Sequence, residues 1–200
     1  MELHYGIRFR FTLGYQAVVY FFALIGRTMR YILALSPPKH FASLLIETAN
    51  KLFAPYSREY LLSPNSLPHI TLYQYECKTD EQALIIWSQL KRDFSSELVP
   101  KITGVAFIKK GNLYQVELSV KRSRSLMERH LLAKKYIQAK AYKGLTEDGD
   151  LYRPHITLAQ IDMPINLPKW PDSILENQSP FTLTLGVGND LGQYLREVAE

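Results

Sequence analysis

The chain has 200 residues, a formal net charge of +5 and hydrophobic and charged shares of 46% and 22%. These values are ordinary for a soluble globular protein, either one domain or a two-lobed body with one continuous core. The mild positive charge favours an anionic partner over a cationic one. The single cysteine, Cys77, excludes an intramolecular disulfide and a multi-cysteine zinc site. Because a free thiol fits a reducing compartment, we expect a cytoplasmic protein.

The first 28 residues differ from the rest of the chain. Residues 11–25 form an uncharged, largely apolar run between Arg10 and Arg27. The run is short for a membrane span, which needs about 20 apolar residues, and it ends in a poor signal-peptide cleavage site. In a third interpretation, which we favour, the natural protein begins at Met29. We therefore predict an N-terminal extension over residues 1–28 and a single two-lobed domain over residues 29–200.

From residue 29 onward, hydrophobic periodicity and turn residues predict alternating strands and helices. In chain order the predicted elements are a strand at residues 30–35, a helix at 39–54, a strand at 69–75, a helix at 79–94, a hairpin of strands 101–109 and 113–120, a helix within 121–143, a strand from 155, an irregular connection at 163–180 and a closing hairpin of 181–187 and 191–198. This mixed order, with its hairpins, favours an α+β fold with largely antiparallel sheets.

Residues 121–143 are the most basic part of the sequence. They hold eight lysines and arginines against one acid, Glu128. Two interpretations stay open, a solvated helix face and direct contact with a polyanion. His130 lies in this stretch, and we expect it, like His4 and His40, to be a surface residue.

A seven-residue segment occurs twice. Pro154-His155-Ile156-Thr157-Leu158-Ala159-Gln160 repeats Pro68-His69-Ile70-Thr71-Leu72-Tyr73-Gln74 with six of seven residues identical, 86 positions apart (155 − 69). Both copies have the alternation of a strand, whose successive side chains point to opposite faces. The apolar residues of each copy therefore face the core, and the histidine and threonine share the other face. Two such strands would place two imidazoles and two hydroxyls in one groove.

Paired imidazoles and hydroxyls suit phosphodiester cleavage without a metal. Imidazole can give or take a proton near neutral pH, so one histidine can activate water while the other protonates the leaving oxygen. Threonine hydroxyls can hold the nonbridging oxygens of a tetrahedral anion. A structural role is the usual one for a lone histidine in a strand, but the recurrence of its neighbours favours a functional one. Neither copy contains an acidic residue, so we predict no metal and no other cofactor.

The two Pro-His-Ile-Thr-Leu segments resemble the two-histidine phosphoesterase superfamily, which includes the bacterial RNA 2′,3′-cyclic phosphodiesterases, also called 2′–5′ RNA ligases. The resemblance extends over residues 29–200. It implies a bilobal, pseudo-twofold α+β fold whose central groove carries both motifs. It also implies catalytic roles for His69 and His155, and phosphate-binding roles for Thr71 and Thr157. The residues after the first motif, Tyr73-Gln74-Tyr75, depart from the Phe-Leu-Gly-like sequence common in the bacterial RNA enzymes.

We therefore predict a phosphodiesterase that acts on 2′,3′-cyclic phosphate ends or 2′–5′ linkages of RNA or small nucleotides, with 2′–5′ RNA ligation as the reverse activity. Arg153, Tyr152 and Tyr75 are candidate substrate contacts, with a place on the groove rim as the alternative. We expect a monomer with no obligate protein partner and no membrane association. Two alternatives remain: a non-catalytic RNA-binding module with the same fold, and a membrane-anchored protein that uses residues 11–25.

Overall fold

The computed structural model describes residues 28–94, 97–166 and 170–199. The apolar run at residues 11–25 and nearly all of the predicted extension over residues 1–28 lie outside these ranges. Within them, no helix is both long enough and apolar enough to cross a membrane.

The described residues form a mixed α+β fold with two antiparallel sheets, which confirms the predicted fold class. The strands are β1 (Met29–Ser36), β2 (Ser57–Leu61), β3 (Ile70–Cys77), β4 (Ile102–Lys110), β5 (Leu113–Val120), β6 (Lys143–Gly144), β7 (His155–Ile161), β8 (Thr182–Gly188) and β9 (Tyr194–Ala199). The helices are α1 (Lys39–Phe53), α2 (Asp80–Asp93), α3 (Arg124–Ala139) and α4 (Asp172–Leu175), with a 3-10 turn at Gly149–Leu151.

Each copy of the repeated segment lies in a different sheet. The first sheet has the strand order β6-β3-β1-β8-β9, and the second has the order β2-β7-β5-β4. The first copy forms β3, with His69 immediately before the strand, and the second forms β7, which begins at His155. Each motif therefore lies on a strand that has a neighbour on both sides, one motif in each sheet.

The apolar faces of the helices and of the two motif strands form the core. Phe41, Leu45, Ala49 and Phe53 make the buried stripe of α1, as spacings of three and four residues require. Helix α2 begins close to the predicted position, and the Thr79 hydroxyl caps it by accepting a hydrogen bond from the Gln82 amide at 3.3 Å. Ile70, Leu72, Ile156 and Leu158 of the motif strands are completely buried.

Three short elements were not predicted. Strands β2 and β6 and helix α4 have five, two and four residues. Strands β2 and β6 pair with β7 and β3 at the edges of the sheets. Such short edge strands owe their existence to a neighbouring strand rather than to their own hydrophobic pattern.

Helix α3 buries two polar side chains of the basic stretch. Arg129 and His130 are buried, while Leu131 is 51% exposed. The prediction of a surface His130 was therefore wrong. Its Nδ1 donates a 2.8 Å hydrogen bond to the Leu72 carbonyl of β3, and its ring stacks on Tyr152. A buried histidine is stable where a carbonyl and an aromatic face replace water.

Candidate active site

Both histidines and both threonines of the repeat line one groove. The groove has a volume of about 310 Å³ and is lined by His69, Thr71, His155 and Thr157 together with residues from three loops. Thr71 lies on strand β3 and His69 immediately before it, and strand β7 supplies His155 and Thr157. The arrangement expected from strand alternation is thus present, with two imidazoles and two hydroxyls around one space.

Each imidazole is oriented by its own backbone. His69 Nδ1 lies 2.9 Å from the Leu67 carbonyl oxygen, and His155 Nδ1 lies 2.7 Å from the Arg153 carbonyl oxygen. A carbonyl only accepts hydrogen bonds, so each Nδ1 carries the proton. In the neutral ring, Nε2 therefore keeps its lone pair, which is the form that a general base needs.

The two histidines lie in different environments. His69 is 7% exposed, and its ring centroid is 5.1 Å from that of Tyr194. Burial lowers the pKa of His69 to about 4, against the opposing effect of the Leu67 carbonyl, and the nearby His155 lowers it slightly further. His69 is therefore neutral at physiological pH in the free protein.

The Tyr194 ring reaches His69 because residue 186 is a glycine. A Cβ atom at Gly186 would lie 2.2 Å from Cζ of Tyr194 and 2.7 Å from the Arg196 carbonyl oxygen. Any larger residue would displace the ring that covers His69.

His155 is more open to the groove and has polar neighbours. Its Nε2 accepts a 3.0 Å hydrogen bond from the Gln115 amide and lies 3.8 Å from Oε2 of Glu117. Glu117 is only 3% exposed. Arg153 donates to both of its carboxylate oxygens at 3.0 Å, and Gln115 donates to Oε2 at 3.1 Å. A buried carboxylate thus stands beside the second imidazole, its charge balanced by Arg153.

The three predicted substrate contacts occupy different places. Arg153 and Tyr152 line the groove, whereas Tyr75 is completely buried and does not line it. Tyr152 is itself only 3% exposed, and its hydroxyl donates to the Thr71 carbonyl oxygen at 2.7 Å. Arg153 therefore remains a candidate substrate contact, whereas Tyr152 binds the backbone behind the first motif.

A β-bulge interrupts both motif strands at the same place. In β3 the bulge skips Leu72 between the pairs Thr71–Ala34 and Tyr73–Leu33, and in β7 it skips Leu158 between the pairs of Thr157 and Ala159. A bulge shifts the alternation by one residue, so side chains beyond it change face. Gln74, the last residue of the first copy, consequently lines the groove with His69 and Thr71.

The sequence did not predict Gln74 and Gln115 as residues of the groove, nor Glu117 as a neighbour of His155. Strict alternation puts Gln74 on the face opposite His69, and only the repetition of a glutamine at this position hinted at more than packing. Gln115 and Glu117 lie on β5, outside the repeat, and reach His155 only through the pairing of β5 with β7. Among the described residues, no three His, Cys, Asp or Glu side chains converge as metal ligands.

The fold is similar to that of several solved structures. E. coli LigT complexed with NADP+ gives a TM-score of 0.61 at 16% identity, covering 87% of this chain and 96% of that chain. E. coli LigT complexed with 3′-AMP gives 0.58 at 16% identity, with 82% and 89% covered. A structure described as a phosphoesterase gives 0.59 at 16% identity, with 87% and 96% covered. These likenesses show a shared fold. No protein-family model and no curated protein matches the chain.

Proposed function

We infer that this protein is a metal-independent phosphodiesterase that hydrolyses 2′,3′-cyclic phosphate ends or 2′–5′ linkages of RNA or nucleotides. One observation carries the proposal: two imidazoles, each with Nδ1 bonded to its own backbone, line one groove beside two threonines. The LigT-like fold and the resemblance of both motifs to two-histidine phosphoesterases support it.

The environments of the two histidines suggest how they divide the work. Neutral His69 takes a proton through Nε2 from the water that attacks phosphorus. His155 takes up a proton at Nε2, which replaces the hydrogen bond from Gln115, and donates this proton to the ribose oxygen as the P–O bond breaks. The products are a phosphomonoester and a free hydroxyl. One proton has passed from His155 to the product, and one has passed from water to His69. Exchange of these protons with solvent restores the starting state.

Fixed donors and charges support the developing negative charge. The hydroxyls of Thr71 and Thr157 donate to the nonbridging oxygens of the phosphate, and Arg153 adds a positive charge at the same wall of the groove. Glu117, 3.8 Å from Nε2 of His155, stabilises the imidazolium before the proton is transferred. The proposed substrate is anionic, in keeping with the net charge of +5. The proposal also takes the protein to be a monomer that acts in the cytoplasm.

The test is hydrolysis of nucleoside 2′,3′-cyclic phosphates, and of short RNA ending in one, with excess EDTA. We expect turnover by the wild type and a loss of about 10²–10⁴-fold in His69→Ala and His155→Ala. His40→Ala is the matched control, because His40 is exposed and does not line the groove.

Other outcomes would replace the proposal. Salt-sensitive RNA binding with no turnover of cyclic or 2′–5′ linked substrates would favour a non-catalytic RNA-binding module. Activity that disappears in EDTA would require a metal. Activity that persists in both histidine variants would refute the two-histidine mechanism.

A further inference from the structure

We propose that Gln74 reads the nucleobase of the substrate, so that the site selects nucleoside cyclic phosphates over cyclic phosphates that lack a base. The inference deepens the proposed function and rests on it. It starts from the bulge in β3, which turns Gln74 onto the face that carries His69 and Thr71.

The backbone of Gln74 is firmly held. Its amide donates to the Thr146 hydroxyl at 2.7 Å, and its carbonyl accepts from the Leu145 amide at 2.8 Å. The groove wall formed by residues 145–147 is therefore attached directly to the strand that carries the first motif. The hydrogen-bonded backbone fixes the position from which the Gln74 side chain extends, and a residue that selects a substrate needs such a fixed position.

The side-chain amide of Gln74 is free to bind a ligand. Its Nε2 would lie 3.5 Å from a Cβ atom at Gly192, so it sits beside the β8–β9 loop, and Gly192 also lines the groove. Within the described ranges of the chain, this amide has no hydrogen-bond partner. It offers one acceptor oxygen and two donor hydrogens to whatever fills the groove.

Exposed leucines stand on two segments that line the same groove as Gln74. Leu191 and Leu151 line the groove and are 45% and 68% exposed. Arg30 holds the first loop by donating to the carbonyls of Asn189 and Asp190 at 3.0 and 3.1 Å. Arg122 holds the second by donating to the Gly149 carbonyl at 2.8 Å. Apolar side chains on anchored loops gain free energy when a flat apolar surface covers them, and the faces of a nucleobase are such a surface.

The second motif offers no equivalent site. Gln160 has the same place in the second copy of the repeat. It lies opposite Gln115 in the register of β5 and β7, and it does not line the groove. Its Oε1 is buried. Of the two repeated glutamines, only Gln74 lines the groove, and the nucleoside is placed on that side of the phosphate.

The hydrogen-bonding groups of the Gln74 amide predict which substrates the groove selects. Nucleobases present neighbouring donors and acceptors on their edges, and a glutamine amide can match such a pair by turning over. We therefore expect little preference among bases but a clear preference for having a base. Glycerol 1,2-cyclic phosphate has the same strained ester without a base and is the reference substrate.

The experiment compares kcat/KM for adenosine and uridine 2′,3′-cyclic phosphates with that for glycerol 1,2-cyclic phosphate. Gln74→Leu keeps the size of the side chain and removes its hydrogen bonds. We expect the nucleoside-to-glycerol ratio to fall about three- to tenfold, the range for a neutral hydrogen bond, through KM rather than kcat. Gln160→Leu is the matched control and should leave the ratio unchanged. Circular dichroism establishes that both variants are folded.

The outcomes separate this proposal from the proposed function. An unchanged ratio in Gln74→Leu, with the wild type active on both substrates, overturns base reading and leaves the phosphodiesterase intact. An equal fall of the ratio in Gln74→Leu and Gln160→Leu also overturns it, because the effect would not belong to the groove. A wild type that hydrolyses no cyclic phosphate and no 2′–5′ linkage refutes the proposed function, and base reading with it.

Discussion

The hydroxyl of Tyr152 donates a 2.7 Å hydrogen bond to the carbonyl oxygen of Thr71. Tyr152 lies three residues before His155, so this bond joins the approach to the second motif to the middle of the first. The Tyr152 ring is stacked on His130 at a centroid distance of 3.8 Å, and His130 donates to the next carbonyl, that of Leu72. Two side chains thus hold the backbone of β3 at its bulge, directly behind Thr71.

Tyr152→Phe is expected to lower kcat/KM for cyclic phosphates about three- to tenfold, because one hydrogen bond that positions Thr71 is lost. The effect should pass through Thr71. The double variant Thr71→Val/Tyr152→Phe should therefore be no slower than Thr71→Val alone. Burial raises the pKa of Tyr152 well above its usual value, so the wild-type hydroxyl remains a donor over the whole assay range.

Tyr75→Phe is the matched control for this measurement. Like Tyr152, Tyr75 is a buried tyrosine, but it lies in the first sheet and its hydroxyl has no hydrogen-bond partner among the described residues. Its loss should leave kcat/KM unchanged. Additive losses in the Thr71 and Tyr152 variants would show that Tyr152 acts independently of Thr71.

The sequence was sufficient to predict the fold class and the meeting of the four motif residues in one groove, because each signal was local. Alternation, helical periodicity and Pro boundaries operate within a few residues, and the repeat made the histidines stand out. The bulges were not predictable in this way, since they arise from pairing with β1 and β5. The same is true of Glu117, whose sequence neighbours give no sign that pairing would bring it to His155. His130 was wrongly predicted to be exposed because its sequence neighbours are basic, whereas its burial results from contact with β3, which is distant in the sequence.

Acid should destabilise the protein through His69. Above pH 6.5 this residue is neutral in both the folded and unfolded states. Between pH 6.5 and about 4 the unfolded histidine gains a proton while the folded one does not. The free energy of unfolding should therefore fall with decreasing pH, by about 3 kcal/mol in total from this residue.

Urea unfolding at pH 7.5 and 4.5, for wild type and His69→Gln, measures that contribution. Carboxylates and His130 titrate in both proteins, so the difference between them isolates His69. The wild type should lose more stability than the variant. Equal losses would mean that His69 is not held in the neutral form.

The pH dependence of hydrolysis is expected to be bell-shaped, with both limbs set by the histidines. If His69 is the base, its pKa of about 4 places the acidic limb of kcat/KM near pH 4, well below the usual range for histidine. The fall on the alkaline side reports loss of the proton that the acid must donate. A rate that stays constant from pH 5 to 9 would rule out acid–base catalysis by this pair.

Glu117→Gln should lower kcat about tenfold or more, equivalent to about 1.4 kcal/mol. The change removes the charge beside His155 and the carboxylate that holds Arg153 at 3.0 Å, while the shape of the side chain is kept. Glu128→Gln is the control, because Glu128 forms an exposed ion pair with Arg124 on α3. If Glu117→Gln has the same kcat as the wild type, the buried carboxylate does not contribute to the reaction.

The bond from each histidine to the carbonyl two residues earlier has a consequence for how such a site can arise. In many catalytic centres the group that orients the imidazole comes from a distant part of the chain, so the unit cannot be copied without its surroundings. Here the orienting carbonyl, the imidazole and the hydroxyl all lie within five consecutive residues, from Leu67 to Thr71 and again from Arg153 to Thr157. Duplication of a short stretch of gene would therefore copy the imidazole, the carbonyl that orients it and the neighbouring hydroxyl together.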